Sequence, residues 1–279
     1  RPPGSADALL LAQTAEAARN EQRLLVIIAA DALDAQRLVD EIPYFDPSLA
    51  VRPLPDWETL PYDTLSPHQD LVSERLATLY RLSQSSRTID VLVVPATTAL
   101  HRLAPTRYVA GHTFFFRQGD TIDVEQLRRQ MVSGGYQHVT QVVAPGEFAV
   151  RGGLIDLFPM GSTLPYRLDL LDAQLETIRA FDPDSQRGLY PVPEVRLLPG
   201  REFPIDETAR QGFRRRWRDR IEGDPSRSSV YKDVGNGIAP AGVEYFLPLF
   251  FDETATLFDY LPQDAILALH GPIEGAMQR

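Results

Sequence analysis

The sequence predicts an α/β fold in which helices cover a parallel sheet. Residues 24–29 and 91–94 are unbroken apolar runs of strand length, typical of strands buried on both faces. Helix-forming segments at residues 6–18 and 32–42 flank the first run. A last apolar run, residues 265–269, is expected to return to the same sheet. The residues between would then form an insertion in a larger α/β domain.

Helical spacing in the first part of the chain predicts which side chains are buried. In the segment 32–42 the stripe runs through Leu33, Leu38 and Ile42. Residues 54–65 form a stretch rich in proline and aromatic residues, and proline opposes both helix and central strand. We therefore expect an ordered loop there, too short for a long hairpin.

A helix is predicted to follow this loop. Ser66 is placed as its N-cap, Pro67 at its first position, and Gln69 where it completes a capping box. Its buried stripe is predicted to consist of Val72, Leu76 and Leu79.

From about Tyr108 the pattern becomes antiparallel. Strand-like runs are joined by short turns that contain Pro-Gly, Gly-Ser and Asp-Ala pairs. The predicted strands are residues 113–117, 136–143, 147–158, 165–172, 175–181 and 195–198, with a short helix at 124–132. The sequence therefore predicts a small α+β domain in the middle of the chain.

Alternation along residues 166–171 separates two faces of one predicted strand. Arg167, Asp169 and Leu171 share the face opposite the buried one. Together with Arg151 on a neighbouring strand, they form the mixture of arginine, carboxylate and apolar residue that is typical of protein interfaces. Surface charges without a special role remain the alternative.

Composition excludes several classes of function. The chain has 279 residues, with 28 Lys+Arg against 38 Asp+Glu, so its formal charge of −10 disfavours a general grip on DNA phosphates. There is no cysteine, which excludes disulfides, cysteine-ligated zinc and thiol catalysis. No apolar run is long enough for a membrane helix, and the start of the chain does not have the pattern of a signal peptide. We expect a cytoplasmic protein.

The first glycine-containing turn would hold phosphates in a nucleotide-binding α/β domain. It reads Gly4, Ser5, Ala6, Asp7 and Ala8. A working P-loop needs glycine and lysine where Ala6 and Asp7 stand, and a hydroxyl where Ala8 stands. We interpret the turn as a capped helix start and a degenerate, non-functional P-loop, so the chain is expected neither to bind a cofactor nor to hydrolyse ATP.

Other catalytic signals are missing from the sequence. The histidines His68, His101, His112, His138 and His270 have no metal-ligand spacing, and no G-x-S-x-G motif occurs. Residues 214–220 contain five arginines, which suggests nucleic-acid binding. Phe213 and Trp217 have inward spacing there, so the alternative is a solvated face of an ordinary helix.

Four stretches resemble a known family. They are residues 56–63 (DWETLPYD), 66–70 (SPHQD), 146–159 (GEFAVRGGLIDLFP) and 166–169 (YRLD). Together they resemble the N-terminal region of the bacterial transcription-repair coupling factors (the Mfd family) along almost the whole chain. The second half is shared more loosely with the excision-repair protein UvrB.

The resemblance implies a UvrB-like module with a degenerate RecA/helicase-like domain. Domain 1a would comprise residues 1–107, the inserted domain 2 residues 108–197, and domain 1b residues 198–279. In the family, domain 2 recruits the damage-recognition protein UvrA after the motor has displaced a stalled RNA polymerase. Interface arginines of the family align with Arg151 and Arg167, an apolar position with Leu171, and a UvrB carboxylate with Asp169.

The resemblance also implies what lies beyond this chain. Full-length members bind RNA polymerase and DNA, carry ATP and Mg²⁺ in motor domains, and hold the UvrA-binding face against a C-terminal region at rest. The chain is therefore interpreted as a non-catalytic fragment without a membrane partner. Two alternatives remain: a UvrB-type ATP-dependent repair helicase, and a direct DNA-binding module.

Overall fold

A computed structural model describes residues 4–61, 64–86 and 88–276. The chain divides into two compact units. The first comprises Arg1–Glu58, Thr78–Thr106 and Ala255–Arg279, and the second Thr59–Ala77 and Arg107–Thr254. Residues 1–3 of the N-terminal segment, and residues 62 and 63 of the predicted loop and of the DWETLPYD motif, lie outside the described residues.

Helices and strands alternate in the first hundred residues, whereas strands follow one another directly from residue 137 to residue 197. The helices are α1 (Ala6–Asn20), α2 (Ala32–Phe45), α3 (Gln69–Leu82), α4 (Ala96–Ala99), α5 (Thr106–Gly111), α6 (Val124–Ser133), α7 (Glu207–Arg220), α8 (Ser229–Gly235), α9 (Leu257–Tyr260) and α10 (Ile273–Ala276). Short 3₁₀ helices occupy Pro225–Arg227 and Val243–Leu249. The strands are β1 (Leu25–Ala29), β2 (Val51–Pro53), β3 (Val91–Pro95), β4 (Phe114–Arg117), β5 (Gln137–His138), β6 (Glu147–Arg151), β7 (Leu154–Leu157), β8 (Tyr166–Leu171), β9 (Gln174–Phe181), β10 (Gly188–Pro191), β11 (Glu194–Leu197) and β12 (Ile266–His270).

The first unit contains a parallel sheet with the strand order β12-β1-β3-β2. Every residue of β1 and β3 is buried, as expected for strands covered on both faces. β12 pairs in parallel with β1, and Ile27 faces Ala268 on one side and Val93 on the other. The predicted return of the last apolar run to the first sheet is therefore confirmed.

Alanines of α1 and the apolar stripe of α2 cover one face of this sheet. Leu38 and Ile42 are fully buried in the same cluster as Ile27 and Val93. The expected burial of Leu33 is wrong, because its side chain is 85% exposed. Leu33 lies five positions before Leu38, so its side chain points to the opposite side of the helix.

The second unit contains a mainly antiparallel sheet with the order β10-β9-β8-β7-β6-β5, and a separate ribbon of β11 and β4. The predicted alternation in β8 is confirmed, since Leu168 and Leu170 are buried while Asp169 and Leu171 are exposed. The run predicted at 136–143 forms only the short β5. The chain leaves the sheet after Val139, whose N–H donates to a backbone carbonyl of β6.

The predicted start of α3 is wrong. The helix begins at Gln69, and the Ser66 hydroxyl does not cap it. That hydroxyl donates to Glu244 at 3.0 Å and accepts from the backbone N–H of Gly242 at 3.2 Å. A tertiary partner therefore replaces the local cap. The predicted buried stripe of Val72, Leu76 and Leu79 is confirmed.

The whole is a mixed α/β fold with parallel and antiparallel sheets, so the predicted class is confirmed at that level. The RecA-like detail and the division into three domains stay predictions. Among the described residues, no helix has the length and apolar character needed to cross a membrane.

A buried ion pair provides a stability test within the second unit. The Arg75 guanidinium donates to both carboxylate oxygens of Glu202, at 2.6 and 3.1 Å, and both side chains are buried. Glu202→Ala removes this bidentate partner, and we expect a loss of about 3–5 kcal/mol in the free energy of unfolding. Urea denaturation measures it.

The matched control is the exposed pair Arg117–Glu194, whose atoms lie 2.8 Å apart. Glu194→Ala should cost less than about 1 kcal/mol, because water already solvates both groups. Equal losses for the two variants would contradict the assignment of Glu202 as a buried anchor.

Candidate functional site

The four residues predicted as a protein-binding site lie on two strands of the antiparallel sheet. Arg151 ends β6, whereas Arg167, Asp169 and Leu171 lie at every second position of β8. β7 runs between these strands and pairs with both. The predicted residues are thus carried by neighbouring strands of a rigid sheet.

Asp156 on β7 lies between the two arginines. The register places it opposite Arg167 on β8 and opposite Ala149 on β6. Arg167 donates from Nε to Oδ1 at 2.6 Å and from Nη2 to Oδ2 at 2.9 Å, and Arg151 donates from Nη2 to Oδ2. Asp156 is 1% exposed, so a buried carboxylate binds both arginines. We call these three residues the Asp156 cluster.

The two arginines differ in how firmly they are held. Arg167 also reaches the backbone carbonyl of Gln186 at 3.4 Å, and its guanidinium lies 4.8 Å from the centre of the Phe181 ring. Its side chain is 26% exposed, against 52% for Arg151. The hydrogen bond to Asp156 raises the pKa of Arg167 above its ordinary value. Arg167 is therefore fixed in place, while much of Arg151 faces solvent.

Asp169 and Leu171 complete the exposed face beside the cluster. Leu171 is 62% exposed, so it offers an apolar surface beside the two arginines. Asp169 is exposed as well. The carboxylate that orients Arg167 in the structure is Asp156, and a pairing of Asp169 with a partner's base stays a prediction.

Asp156 is the residue that sequence reasoning missed. It stands in the otherwise apolar strand Leu154–Leu157, where a charge is out of place. That anomaly was the available signal, because buried carboxylates need a cationic partner. The sequence alone does not indicate which arginines provide it.

The turn at Gly4 opens α1 without the predicted cap. Ser5 occupies the N-cap position, but its side chain makes no capping hydrogen bond. Gly4 has a φ of +62°, and Ala6 begins the helix. Asp7 is almost fully buried in the first turn, and its Oδ1 accepts the N–H of Ala8 at 2.8 Å.

Asp7 belongs to a network of charges inside the first unit. It accepts from Arg37 Nη1 at 3.2 Å and Nη2 at 2.9 Å, and its Oδ2 lies 2.9 Å from His270 Nε2. The other ring nitrogen of His270 lies 2.6 Å from Asp34 Oδ2. Hydrogen bonding to Asp7 raises the pKa of Arg37 above its ordinary value. Asp7, Asp34, Arg37 and His270 thus form one hydrogen-bonded network at the start of α1, in the turn interpreted from the sequence as a degenerate P-loop.

The arginine-rich helix α7 is partly committed to internal contacts. Phe213 and Trp217 are buried, as predicted. Arg216, expected on the solvated face, is also buried, and it donates to the Leu249 carbonyl at 2.8 Å and to Asp252. In the described part of the chain, no group of three or more His, Asp or Glu side chains is arranged to hold a metal ion.

The candidate site lies in a segment that matches a known domain family. The sequence model of the UvrB interaction domain matches residues 114–203. That segment contains all four predicted residues and Asp156.

Transcription-repair-coupling factors match over nearly the whole chain. The protein of Escherichia coli is 45% identical over 277 residues, covering 99% of this chain and 24% of the relative. That of Haemophilus influenzae is 41% identical over 270 residues, covering 95% and 22%, and that of Bacillus subtilis is 25% identical over 271 residues, covering 92% and 23%. The chain thus spans less than a quarter of the length of these relatives.

These matches confirm the resemblance inferred from the sequence motifs. Residues 114–203 match the UvrB interaction domain, within a chain that is similar along nearly its entire length to one segment of the transcription-repair-coupling factors.

Proposed function

We propose that this chain is a non-catalytic module that recruits UvrA during transcription-coupled nucleotide excision repair. The observation that carries the proposal is the Asp156 cluster, which presents two arginines beside an exposed leucine and carboxylate within the matched UvrB interaction domain. Arginine and an apolar anchor on a rigid surface are typical of residues that dominate protein binding.

The residues of this face have different roles in the proposal. Arg151 donates a charge-assisted hydrogen bond to an acidic group of UvrA, since its side chain is half exposed and makes one bond to Asp156. Arg167 supports the surface through Asp156 and Phe181, and offers UvrA its remaining exposed edge. Asp169 pairs with a base on UvrA, and Leu171 provides the apolar contact.

The absence of catalysis is proposed from the surroundings of Asp7. A P-loop lysine acts by binding the β- and γ-phosphates. Here a carboxylate takes that position and is held by Arg37 and His270. Since an anion in the first turn repels phosphate, a UvrB-type nucleotide-driven helicase is disfavoured. ATP and Mg²⁺ then belong to motor domains of the longer relatives.

The direct DNA-binding alternative is also disfavoured. Arg215 and Arg216 of α7 both pair with Asp252, which neutralises part of the cluster. We assign contacts with DNA and RNA polymerase, and an autoinhibitory contact with a C-terminal region, to the full-length protein. Such a contact would cover the Asp156 cluster until the motor is engaged. We also propose that the protein is cytoplasmic.

The first prediction from this proposal concerns Arg151 and Arg167. Arg151→Ala should weaken UvrA binding by about 1–4 kcal/mol, with little change in unfolding temperature, because the side chain is largely exposed. Arg167→Ala should weaken binding over the same range and also lower the unfolding temperature. Calorimetric titration with UvrA, without ATP, measures the affinity.

Arg218→Ala is the matched control, since Arg218 is an exposed arginine on α7 outside the proposed face. It should bind UvrA like the wild type. Unchanged affinity in both Arg151→Ala and Arg167→Ala would refute the assigned site.

A second prediction concerns Asp156. Asp156→Asn keeps the shape of the side chain but removes the charge that both arginines share. We expect the free energy of unfolding to fall by about 1–3 kcal/mol, because a buried charged hydrogen-bond acceptor is lost. UvrA binding should weaken as well, since Arg151 and Arg167 lose their fixed positions. Asp169→Asn, on the same face but exposed, should leave stability unchanged.

The third prediction tests the degenerate P-loop. Asp7→Lys restores the P-loop lysine in the sequence, yet it should not produce binding of Mg-ATP, measured by calorimetry. The new ammonium would face Arg37 and His270, so stability should fall by about 3–5 kcal/mol. Asp7→Asn, which only loses the charge, should cost less. Binding of Mg-ATP by the wild-type chain would contradict the non-catalytic proposal.

A further inference from the structure

A groove of about 1100 Å³ opens in the second unit. One wall is a face of α6 that carries Arg128, Arg129 and Val132, and the other includes Arg201 and Arg210. Four arginines thus line one concave surface, which we call the arginine groove. In a chain with a formal charge of −10, this concentration of positive charge stands out.

Three arginines of the groove have no carboxylate partner. In the described part of the chain, the guanidinium groups of Arg128, Arg129 and Arg201 make no hydrogen bond and have no carboxylate within 4.0 Å. Glu147 and Asp206 also line the groove, but they accept backbone N–H groups, at 2.7 and 2.9 Å and at 2.9 Å. The groove therefore offers unused guanidinium donors to an acidic ligand.

Arg201 differs from Arg128 and Arg129 in the way it is packed. Its stem packs on Gly135, which has a φ of +96°, and a Cβ there would lie 2.7 Å from Arg201 Cγ. Partial burial lowers the pKa of Arg201 below its ordinary value, while the charge of Glu244 acts in the opposite direction. Its guanidinium makes no hydrogen bond among the described residues, so its donors are available to a carboxylate in the groove.

The remaining lining favours a peptide over a nucleic acid. Val132 is 51% exposed and Glu125 lies on the same helix face, so the surface mixes cationic, apolar and acidic groups. The aromatic side chain in the lining, Tyr136, is buried and cannot stack on a base. Arginine binds carboxylates in a bidentate manner, and the groove provides several such forks.

Hydrogen bonds connect one wall of the groove with the Asp156 cluster. Residues 144–147 line the groove, and Val142 just before them accepts a hydrogen bond at 3.0 Å from Gln186. The carbonyl of Gln186 in turn accepts from Arg167 at 3.4 Å.

From these observations we propose that the arginine groove binds an acidic segment of a protein partner, with its carboxylates paired to Arg128, Arg129 and Arg201. This inference does not require the partner to be UvrA, so it stands independently of the proposed function.

The test uses a fluorescein-labelled decapeptide of alternating glutamate and leucine, titrated with the full chain and followed by fluorescence anisotropy at fixed ionic strength. The double variant Arg128→Glu, Arg129→Glu should bind at least about tenfold more weakly. Arg201→Met should also weaken binding, while its unfolding temperature stays equal, because methionine keeps an apolar stem against Gly135 and no carboxylate pair is lost. A lower unfolding temperature would identify Arg201 as structural and overturn its role.

The matched control is Arg218→Glu with Arg220→Glu, which changes the net charge equally on exposed arginines of α7 outside the groove. Its affinity should stay within about twofold of the wild type. Arg151→Ala should also retain peptide binding, which separates this site from the proposed UvrA face.

Three results would overturn the proposal: no binding of the peptide by the wild-type chain, equal losses in the two double variants, or tighter binding of a single-stranded thymidine decamer with the same dependence on Arg128 and Arg129. The last result would identify the groove as a nucleic-acid site instead.

Discussion

Arginine paired with buried carboxylate is the interaction on which this structure depends. Three carboxylates in the described part of the chain are almost fully buried, and each accepts at least two hydrogen bonds from arginine: Asp7, Asp156 and Glu202. An ionised carboxylate is tolerated in the interior only when it is paired and hydrogen-bonded. The planar guanidinium satisfies both oxygens at once, which an ammonium group does not. A chain whose only lysine is Lys232 is suited to such pairs.

The same constraint divides the arginines into two classes. Those that face a buried carboxylate are fixed and hold elements together, as Arg167 does between β7 and β8. Those without a carboxylate partner, such as Arg128 and Arg129, keep their hydrogen-bonding capacity for other molecules. Arg151 belongs to both classes, because it contacts Asp156 and remains half exposed. A residue of that kind links the stability of the sheet to binding at its surface.

The features that could be predicted from the sequence are those that depend on regular hydrophobic patterns. Strands β1 and β3 were recognised because they are buried on both faces, and the exposed face of β8 because burial repeats at every second residue. Local sequence signals gave a wrong prediction where the side chain binds a group that is distant in the sequence. Ser66 has the local sequence of a cap, but its hydroxyl is bound by Glu244, which is 178 residues away.

The candidate site shows the same limit. The family resemblance indicated Arg151, Arg167, Asp169 and Leu171, because interface positions of the family align with these positions of the sequence. It did not reveal that two of them share one acceptor, since the pairing depends on the register of β6, β7 and β8. Register follows from the packing of the whole sheet and is not encoded in any single strand.

Because of the network around Asp7, we do not expect one substitution to convert this turn into a phosphate site. A phosphate at the start of α1 would have to displace a carboxylate that is held by Arg37 and by His270. His270 ends β12 and also contacts Asp34 of α2, so the network joins three elements of the first unit. Removing Asp7 takes away a carboxylate that Arg37 and His270 share, and a lysine in its place would set an ammonium beside the guanidinium of Arg37. Both side chains also contact Asp34, so the groups at the start of α1 hold the sheet and its helices together.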